Sequence, residues 1–204
     1  MPDELEQADA AAPHEGPGIT EFYDAYVPPS YFRPVVEDLV AFLPSRHLVG
    51  LKTILLTNSA AVTPRQRRQK IFQRGRKHKL VEARGAYYRA TPSRQAYVTL
   101  FVDNILKAWS PGELRFSFFR RMMIAEILYH EVGHHIHTVH RPVFDGRENV
   151  AGNWERKLSQ AYLRKHYWYL IPFRRPILLM ADILGWVEKK RRGLRANRDA
   201  VRAK

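Results

Sequence analysis

Residues His130 to His134 carry the side chains best suited to chemistry in this chain, in the order H-E-x-x-H. Positions four residues apart lie on one face of an α-helix, so the two imidazoles can bind a single metal ion through neutral ring nitrogens. Glu131 then lies beside the metal, where its carboxylate can accept a proton from water. The motif predicts zinc-dependent hydrolysis, most of all of peptide bonds, with Glu131 as the general base.

A long helix is expected to hold the motif. Ser110 and Glu113 have the spacing of a capping box, and no proline follows Pro111 before about His137. Apolar residues at helical spacing form one stripe, namely Ile124, Leu128, Val132 and Ile136. The opposite side carries Met123 and Ile127 together with the two histidines. A helix that is apolar on two faces is buried between layers, so we expect the histidines to face an interior cleft.

A catalytic zinc ion usually has three protein ligands and one open position, so a third ligand is required. Glu148 is the preferred candidate, because it lies at the start of a further helix expected from Asp145 or Gly146. A helical hairpin would return this carboxylate to the metal. His140 is the second candidate and Asp145 the third.

The stretch from His130 to His134, followed by Glu148-x-x-Ala151, resembles the gluzincin branch of the zincin metallopeptidases. The resemblance covers about residues 48–165. It implies an α+β minimal zincin fold, in which a small mixed sheet packs on the active-site helix and a glutamate helix and a C-terminal helix follow. It also implies that Glu148 is the third zinc ligand and that Ala151 lets the two helices pack closely. Gly152 stands where the family often has Asp, so the usual carboxylate partner of a ligand histidine has no counterpart.

The metzincin pattern is an alternative reading of the same region. Residues 130–140 read HEVGHHIHTVH, which fits H-E-x-x-H-x-x-G-x-x-H except that His137 replaces the glycine. That glycine permits the sharp turn that returns the third histidine, here His140, to the metal. No clear Met-turn follows, because Met180 lies in an apparently helical stretch.

Other parts of the site are assigned as expectations. By resemblance, the strand expected over 97–106 is the edge along which an extended peptide binds. His137 is expected beside the metal, whereas His135 is expected to be exposed and His47 to be incidental. An oxyanion stabiliser is sought among the later residues Arg147, Tyr162, His166, Tyr167 and Tyr169.

The remaining elements are assigned from apolar periodicity and turn residues. We expect helices over 30–43 and 177–190, strands over 48–57, 85–90 and 97–106, and a short basic helix from Thr63 that stops near Gly75. An acidic tail, 1–18, is expected to be disordered, a single domain to cover 19–190, and a basic tail to cover 191–204.

The composition limits the compartment and the partners. The chain has no Cys, which excludes disulfides and thiolate metal ligands, and we expect a cytoplasmic protein without a transmembrane segment. Its net charge of +14 is concentrated over 65–79 and 189–204, which suggests an anionic partner such as nucleic acid or an acidic lipid surface. A competing hypothesis is therefore a non-catalytic nucleic-acid- or partner-binding module with a structural or degenerate metal site.

Overall fold

The computed structural model describes residues 16–73, 76–140 and 147–169, with backbone alone for 71–73, 76–78 and 147. These residues form a mixed α+β fold. The strands are β1 (Gly18–Phe22), β2 (Leu51–Thr57), β3 (Lys70–Gln73), β4 (Arg76–Lys79), β5 (Gly85–Tyr88) and β6 (Ala96–Phe101). The helices are α1 (Phe32–Ala41), α2 (Pro64–Arg67), α3 (Val102–Lys107), α4 (Ser117–His140) and α5 (Arg147–Tyr167).

A four-stranded mixed sheet has the strand order β1-β2-β6-β5. β1, β2 and β6 run parallel, and β5 is antiparallel to β6, with Gly85 opposite Leu100 and Tyr88 opposite Tyr97. The central strands β2 and β6 are rich in aliphatic residues, and β6 is buried at five of its six positions, as expected of a strand covered on both faces. β5 therefore forms one edge of the sheet and β1 the other.

The main core lies between one face of this sheet and the helices α1 and α4. Ile54 and Leu56 of β2 and Val98 and Leu100 of β6 are fully buried there. Helix α1 contributes Val36 and Leu39, and α4 contributes its predicted apolar stripe of Ile124, Leu128, Val132 and Ile136. A smaller cluster that includes Leu80, Ala86 and Phe101 lies apart from this core. The predicted two-faced burial of α4 is confirmed, because Met123 and Ile127 are buried as well.

The basic helix expected from Thr63 to near Gly75 is wrong beyond its first turn. The capping box forms, with the Gln66 side chain accepting from the Thr63 N–H at 3.1 Å, but α2 ends at Arg67. The chain then forms an antiparallel ribbon of β3 and β4, in which Lys70 lies opposite Lys79. The capping box is sufficient for one helical turn. A longer helix would need an apolar stripe that packs against the rest of the protein, and the sequence of this segment lacks one.

The strand expected over 97–106 is half correct. β6 ends at Phe101, and α3 begins at Val102, so the apolar run continues through a change of backbone conformation. β6 also lies inside the sheet, which contradicts the edge position assigned to it. The strand β1 was not predicted, and it begins at Gly18, inside the segment assigned to the tail.

The expected helix over 177–190 and the basic tail over 191–204 lie outside the described residues. Within the described part, no helix combines the length and the hydropathy that a bilayer-spanning segment requires.

Candidate metal centre

Helix α4 places the H-E-x-x-H motif in the interior of the protein. His130 and Glu131 are 3% and 2% exposed, and His134 is half-buried. The helix begins at Ser117 rather than at Ser110. The hydrogen bonds between Ser110 and Glu113 are present, with the Glu113 carboxylate 2.8 Å from the Ser110 nitrogen, but a short 3-10 turn over Glu113–Arg115 follows them instead of the long helix. The motif is therefore held on a long helix that packs against β5, β6, α1 and α5.

Helix α5 lies antiparallel to α4 and in close contact with it. A β-carbon added at Gly133 would lie 2.8 Å from the Ala151 carbonyl oxygen and 2.9 Å from its Cα. Glycine inside a helix costs about 1 kcal/mol relative to alanine, so its presence here is explained by the approach of the second backbone. The predicted role of Ala151 is confirmed, since this residue is fully buried against α4.

The two helices bring His130, His134 and Glu148 together. Nε2 of His130 lies 3.5 Å from Oε2 of Glu148, and Nε2 of His134 lies 3.4 Å from Oε1. One ligand atom from each of the three residues lies within 4.8 Å of the others. Ligand atoms bound at about 2.1 Å to a tetrahedral zinc ion are separated by about 3.4 Å. The two separations between histidine and carboxylate therefore match the spacing that a single metal ion would impose.

A fourth residue, Glu155, supports this cluster and was not predicted. Its Oε2 lies 3.0 Å from Nδ1 of His130, the ring nitrogen that does not face Glu148. A carboxylate in this position accepts the Nδ1–H and leaves Nε2 free to coordinate a metal. Glu148, Ala151 and Glu155 follow the spacing i, i+3, i+7, which places them on one helical face. That spacing is the sequence signal that could have identified Glu155.

Replacing Glu155 is expected to weaken metal binding without removing a ligand. The Glu155→Ala protein should bind zinc roughly 10–100-fold more weakly than the wild type, because His130 loses the group that orients its ring. Glu155→Gln should lie between the two, since an amide oxygen still accepts the Nδ1–H. Competition with a chromophoric chelator measures the affinities, and Gln160→Ala, an exposed position on the same helix, is the control. Equal affinity in Glu155→Ala and the control would show that the contact has no such role.

Glu131 lies between α4 and the edge strand β5. A β-carbon at Gly85 would lie 2.8 Å from the Glu131 Cγ and 2.9 Å from its Oε1, so only glycine leaves room for this side chain. The backbone N–H of Tyr87 donates a hydrogen bond to the carboxylate. Glu131 is thus positioned by the edge strand β5.

The electrostatics of the cluster favour a cation. Burial raises the pKa of Glu131, and His134 and His130 only partly offset this effect. Burial alone would lower the pKa of His130, but the hydrogen bond to Glu155 and the carboxylates of Glu131 and Glu148 raise it above its ordinary value. Three carboxylates gathered around one buried and one half-buried imidazole repel one another unless a positive charge is bound among them.

The metzincin alternative is wrong. α4 continues through His137 without a turn, and His140 is an exposed residue at its end. In the described part of the chain, His130, His134 and Glu148 make up the one group able to hold a metal ion. Asp145, the third candidate, lies outside the described residues.

One of the other histidines, His135, differs from its expectation. His135 is buried, not exposed. Its Nε2 lies 2.9 Å from the Val49 carbonyl oxygen and its Nδ1 lies 3.3 Å from the Tyr87 hydroxyl. His47 is also buried, 4.9 Å from the Trp154 ring, and burial lowers its pKa to about 4. His137 is buried near the motif, and its proposed contact with the metal site stays a prediction.

The aromatic candidates for oxyanion stabilisation lie far from the cluster. Tyr162 is fourteen residues after Glu148 on the same helix, which corresponds to about 21 Å. Its ring packs against Phe42 at 5.2 Å, and its hydroxyl accepts from Arg121 at 3.1 Å. His166 stacks on Tyr162, and Tyr167 packs on Phe118. Tyr169 follows the end of α5, and the side chain of Arg147 lies outside the described part.

Comparisons of the chain with models of known protein families, with curated proteins and with solved structures found no significant match. The functional argument consequently rests on the geometry of the cluster.

Proposed function

We propose that this protein is a zinc-dependent metallopeptidase in which His130, His134 and Glu148 bind the metal and Glu131 is the general base. The observation that supports it most is the separation of 3.4–3.5 Å between the histidine Nε2 atoms and the Glu148 oxygens. Three protein ligands leave one coordination position for water or substrate, as in catalytic zinc sites. A structural zinc site would have four protein ligands.

The donor set and the neighbouring carboxylate favour zinc. Two imidazoles and one carboxylate also suit non-haem iron, so the ligands alone do not identify the metal. The buried Glu131, held next to the ligands by Gly85 and Tyr87, is a group that hydrolysis needs for proton transfer. When bound, zinc supplies a Lewis acid that polarises a carbonyl and lowers the pKa of coordinated water to about 7.

Glu131 performs the proton transfers in this proposal. Its carboxylate accepts a proton from the attacking water and then gives it to the departing amide nitrogen. Its environment suits this exchange, because burial raises its pKa while the Tyr87 N–H and the two histidines favour the charged form. Glu155 holds the His130 ring, and Gly85 keeps space for the base.

The substrate is proposed to be a protein or peptide bound in an extended conformation along β5. β5 is an edge of the sheet, and Glu131 lies directly against it through Gly85. A chain added to this edge would gain backbone hydrogen bonds and would pass beside the metal ligands. In this proposal β5 is the edge strand along which the peptide binds, a role that the sequence had suggested for the strand over 97–106.

Metal removal tests this function. Protein stripped with a zinc chelator is expected to lose cleavage of an unfolded protein substrate, and stoichiometric zinc should restore it, because the metal is needed to activate water. Mass spectrometry of the new peptide ends measures cleavage and identifies the bonds.

The control is the same protein reloaded with magnesium, which should not restore cleavage because this cation prefers oxygen ligands to imidazole nitrogens. Cleavage that survives complete metal removal, or zinc-loaded protein that leaves every tested polypeptide intact, would contradict a zinc peptidase.

A further inference from the structure

A basic groove lies at the ends of β2, β5 and α3, formed by residues that the hydrolytic site does not use. Its volume is about 1040 Å³, and its charged lining comprises Arg67, Arg68, Lys79, Arg84, Lys107 and Glu82. Five positive side chains thus share one concavity with one negative side chain. Such a concentration of like charge raises the free energy of the protein unless an anion binds there.

Most of these charges are not neutralised by the protein. Lys107 pairs with Asp103 at 3.2 Å. In the described part of the chain, Arg67, Arg68, Lys79 and Arg84 form no ion pair with a carboxylate.

Arg67 is fixed instead by backbone carbonyls, with Nε 3.0 Å from the Val62 oxygen and one terminal nitrogen 2.8 Å from the Ala60 oxygen. Neutral carbonyls orient the guanidinium and leave its full charge for a ligand.

The ribbon of β3 and β4 extends the same charge beyond the groove. Its two strands, Lys70–Gln73 and Arg76–Lys79, include four Lys or Arg and no Asp or Glu. Lys70 and Lys79 lie directly opposite each other, and both are exposed. Like charges in a cross-strand pair are destabilising, so this pairing also favours a bound anion. The ribbon is a separate two-stranded sheet, so it is not needed to complete the main sheet.

We propose that the groove and the ribbon bind the backbone of double-stranded DNA. Positive charges spread over a groove and an adjoining ribbon suit a polyanion with regularly spaced phosphates. A concave surface does not fit a flat lipid bilayer. The antiparallel pair of β3 and β4 is a two-stranded ribbon, and a two-stranded ribbon is an element that the DNA major groove, about 12 Å wide, admits. The major groove of double-stranded RNA is too narrow to admit it.

Fluorescence anisotropy with a labelled duplex of about two helical turns tests this proposal. The wild-type protein should bind it with a steep salt dependence between about 50 and 200 mM. The variant Arg68→Ala/Lys79→Ala/Arg84→Ala should bind at least about tenfold more weakly, and the slope of log affinity against log salt should fall by about 2.7. The double variant Arg68→Ala/Lys79→Ala, at two exposed positions, should show about two thirds of that change in slope if the triple variant is unstable.

The matched control is Lys52→Ala/Arg115→Ala/Arg164→Ala, which removes the same charge from exposed positions outside the groove. It should bind DNA nearly as the wild type does. If both triple variants bind DNA equally weakly, the loss of affinity comes from net charge alone and the proposal is overturned. Equal or tighter binding of double-stranded RNA or of polyglutamate would also overturn it, because the partner would then be another polyanion.

DNA binding is independent of hydrolysis in this proposal. Glu131→Gln should bind the duplex as tightly as the wild type. If the wild-type protein does not bind the duplex, the DNA-binding proposal fails and the proposed peptidase function is unaffected.

Discussion

Replacing Glu131 with glutamine is expected to abolish peptide cleavage while the protein retains its metal. The side chains are nearly the same size, so glutamine can occupy the space beside Gly85 and still accept the Tyr87 N–H. The amide cannot accept a proton from water. Loss of a general base lowers the rate by about 10²–10⁴-fold. Because burial raises the pKa of Glu131, removal of this charge should leave the melting temperature unchanged or slightly higher.

The matched control is Glu126→Gln, which makes the same substitution on the same helix at a partly exposed position just over one turn earlier. It should cleave at the wild-type rate. Cleavage rates and zinc content measured on the three proteins decide the question. Wild-type cleavage by Glu131→Gln would rule out its role as the base. Loss of zinc together with activity would instead show that Glu131 supports the metal.

Replacing Gly133 with alanine is expected to weaken zinc binding although no ligand changes. The new β-carbon would lie 2.8 Å from the Ala151 oxygen, 2.9 Å from its Cα and 3.1 Å from the Trp154 Cβ. Two of these atoms are backbone, so no side-chain rotation relieves the overlap, and α5 must move away from α4. Glu148 lies one turn from Ala151 and moves with it. We expect the zinc affinity to fall about 10–100-fold. This is the loss of affinity expected when a group that orients a metal ligand is removed.

Gly152→Ala is the control for this substitution, because no atom lies within 4 Å of a β-carbon at that position on α5. It should keep wild-type zinc affinity and gain up to about 1 kcal/mol of stability from the better helix propensity of alanine. Zinc titration and thermal unfolding measure both effects. If Gly133→Ala binds zinc as the wild type does, the contact between the helices does not set the position of Glu148.

The sequence was sufficient for the parts of the site that follow helical periodicity. The apolar stripes of α4 predicted its burial, and the spacing of Glu148 and Ala151 predicted a returning helix with a small residue at the contact. In the structure this small residue faces Gly133. These features are local, because one turn of a helix determines which side chains share a face. The mixed α+β fold followed from the same elements.

The sequence was insufficient where long-range pairing determines structure. β1 carries few buried side chains, so its sequence lacks the alternation that marks a half-buried strand. The order β1-β2-β6-β5 depends on contacts between distant segments, and the edge strand was therefore assigned to β6 instead of β5. His135 was taken as exposed because its partners, Val49 and Tyr87, lie far away in the chain.

The basic segment after Thr63 illustrates a different limit. Its capping box is real, and a helix of one turn forms there. Beyond Arg67, the capping box no longer determines the conformation. The backbone groups of β3 and β4 form hydrogen bonds with each other across the ribbon instead of within a helix. The charge of this segment was read correctly, although its secondary structure was not.

The zinc content of the purified protein tests the central claim most directly, with Glu148→Ala and His140→Ala as the paired variants. Elemental analysis should find about one zinc ion per chain in the wild type and in His140→Ala, and little zinc in Glu148→Ala. Among the residues that the structure describes, Glu148 is the one that joins His130 and His134 in the cluster. A wild-type protein without stoichiometric zinc, or a Glu148→Ala protein that retains it fully, would contradict the account.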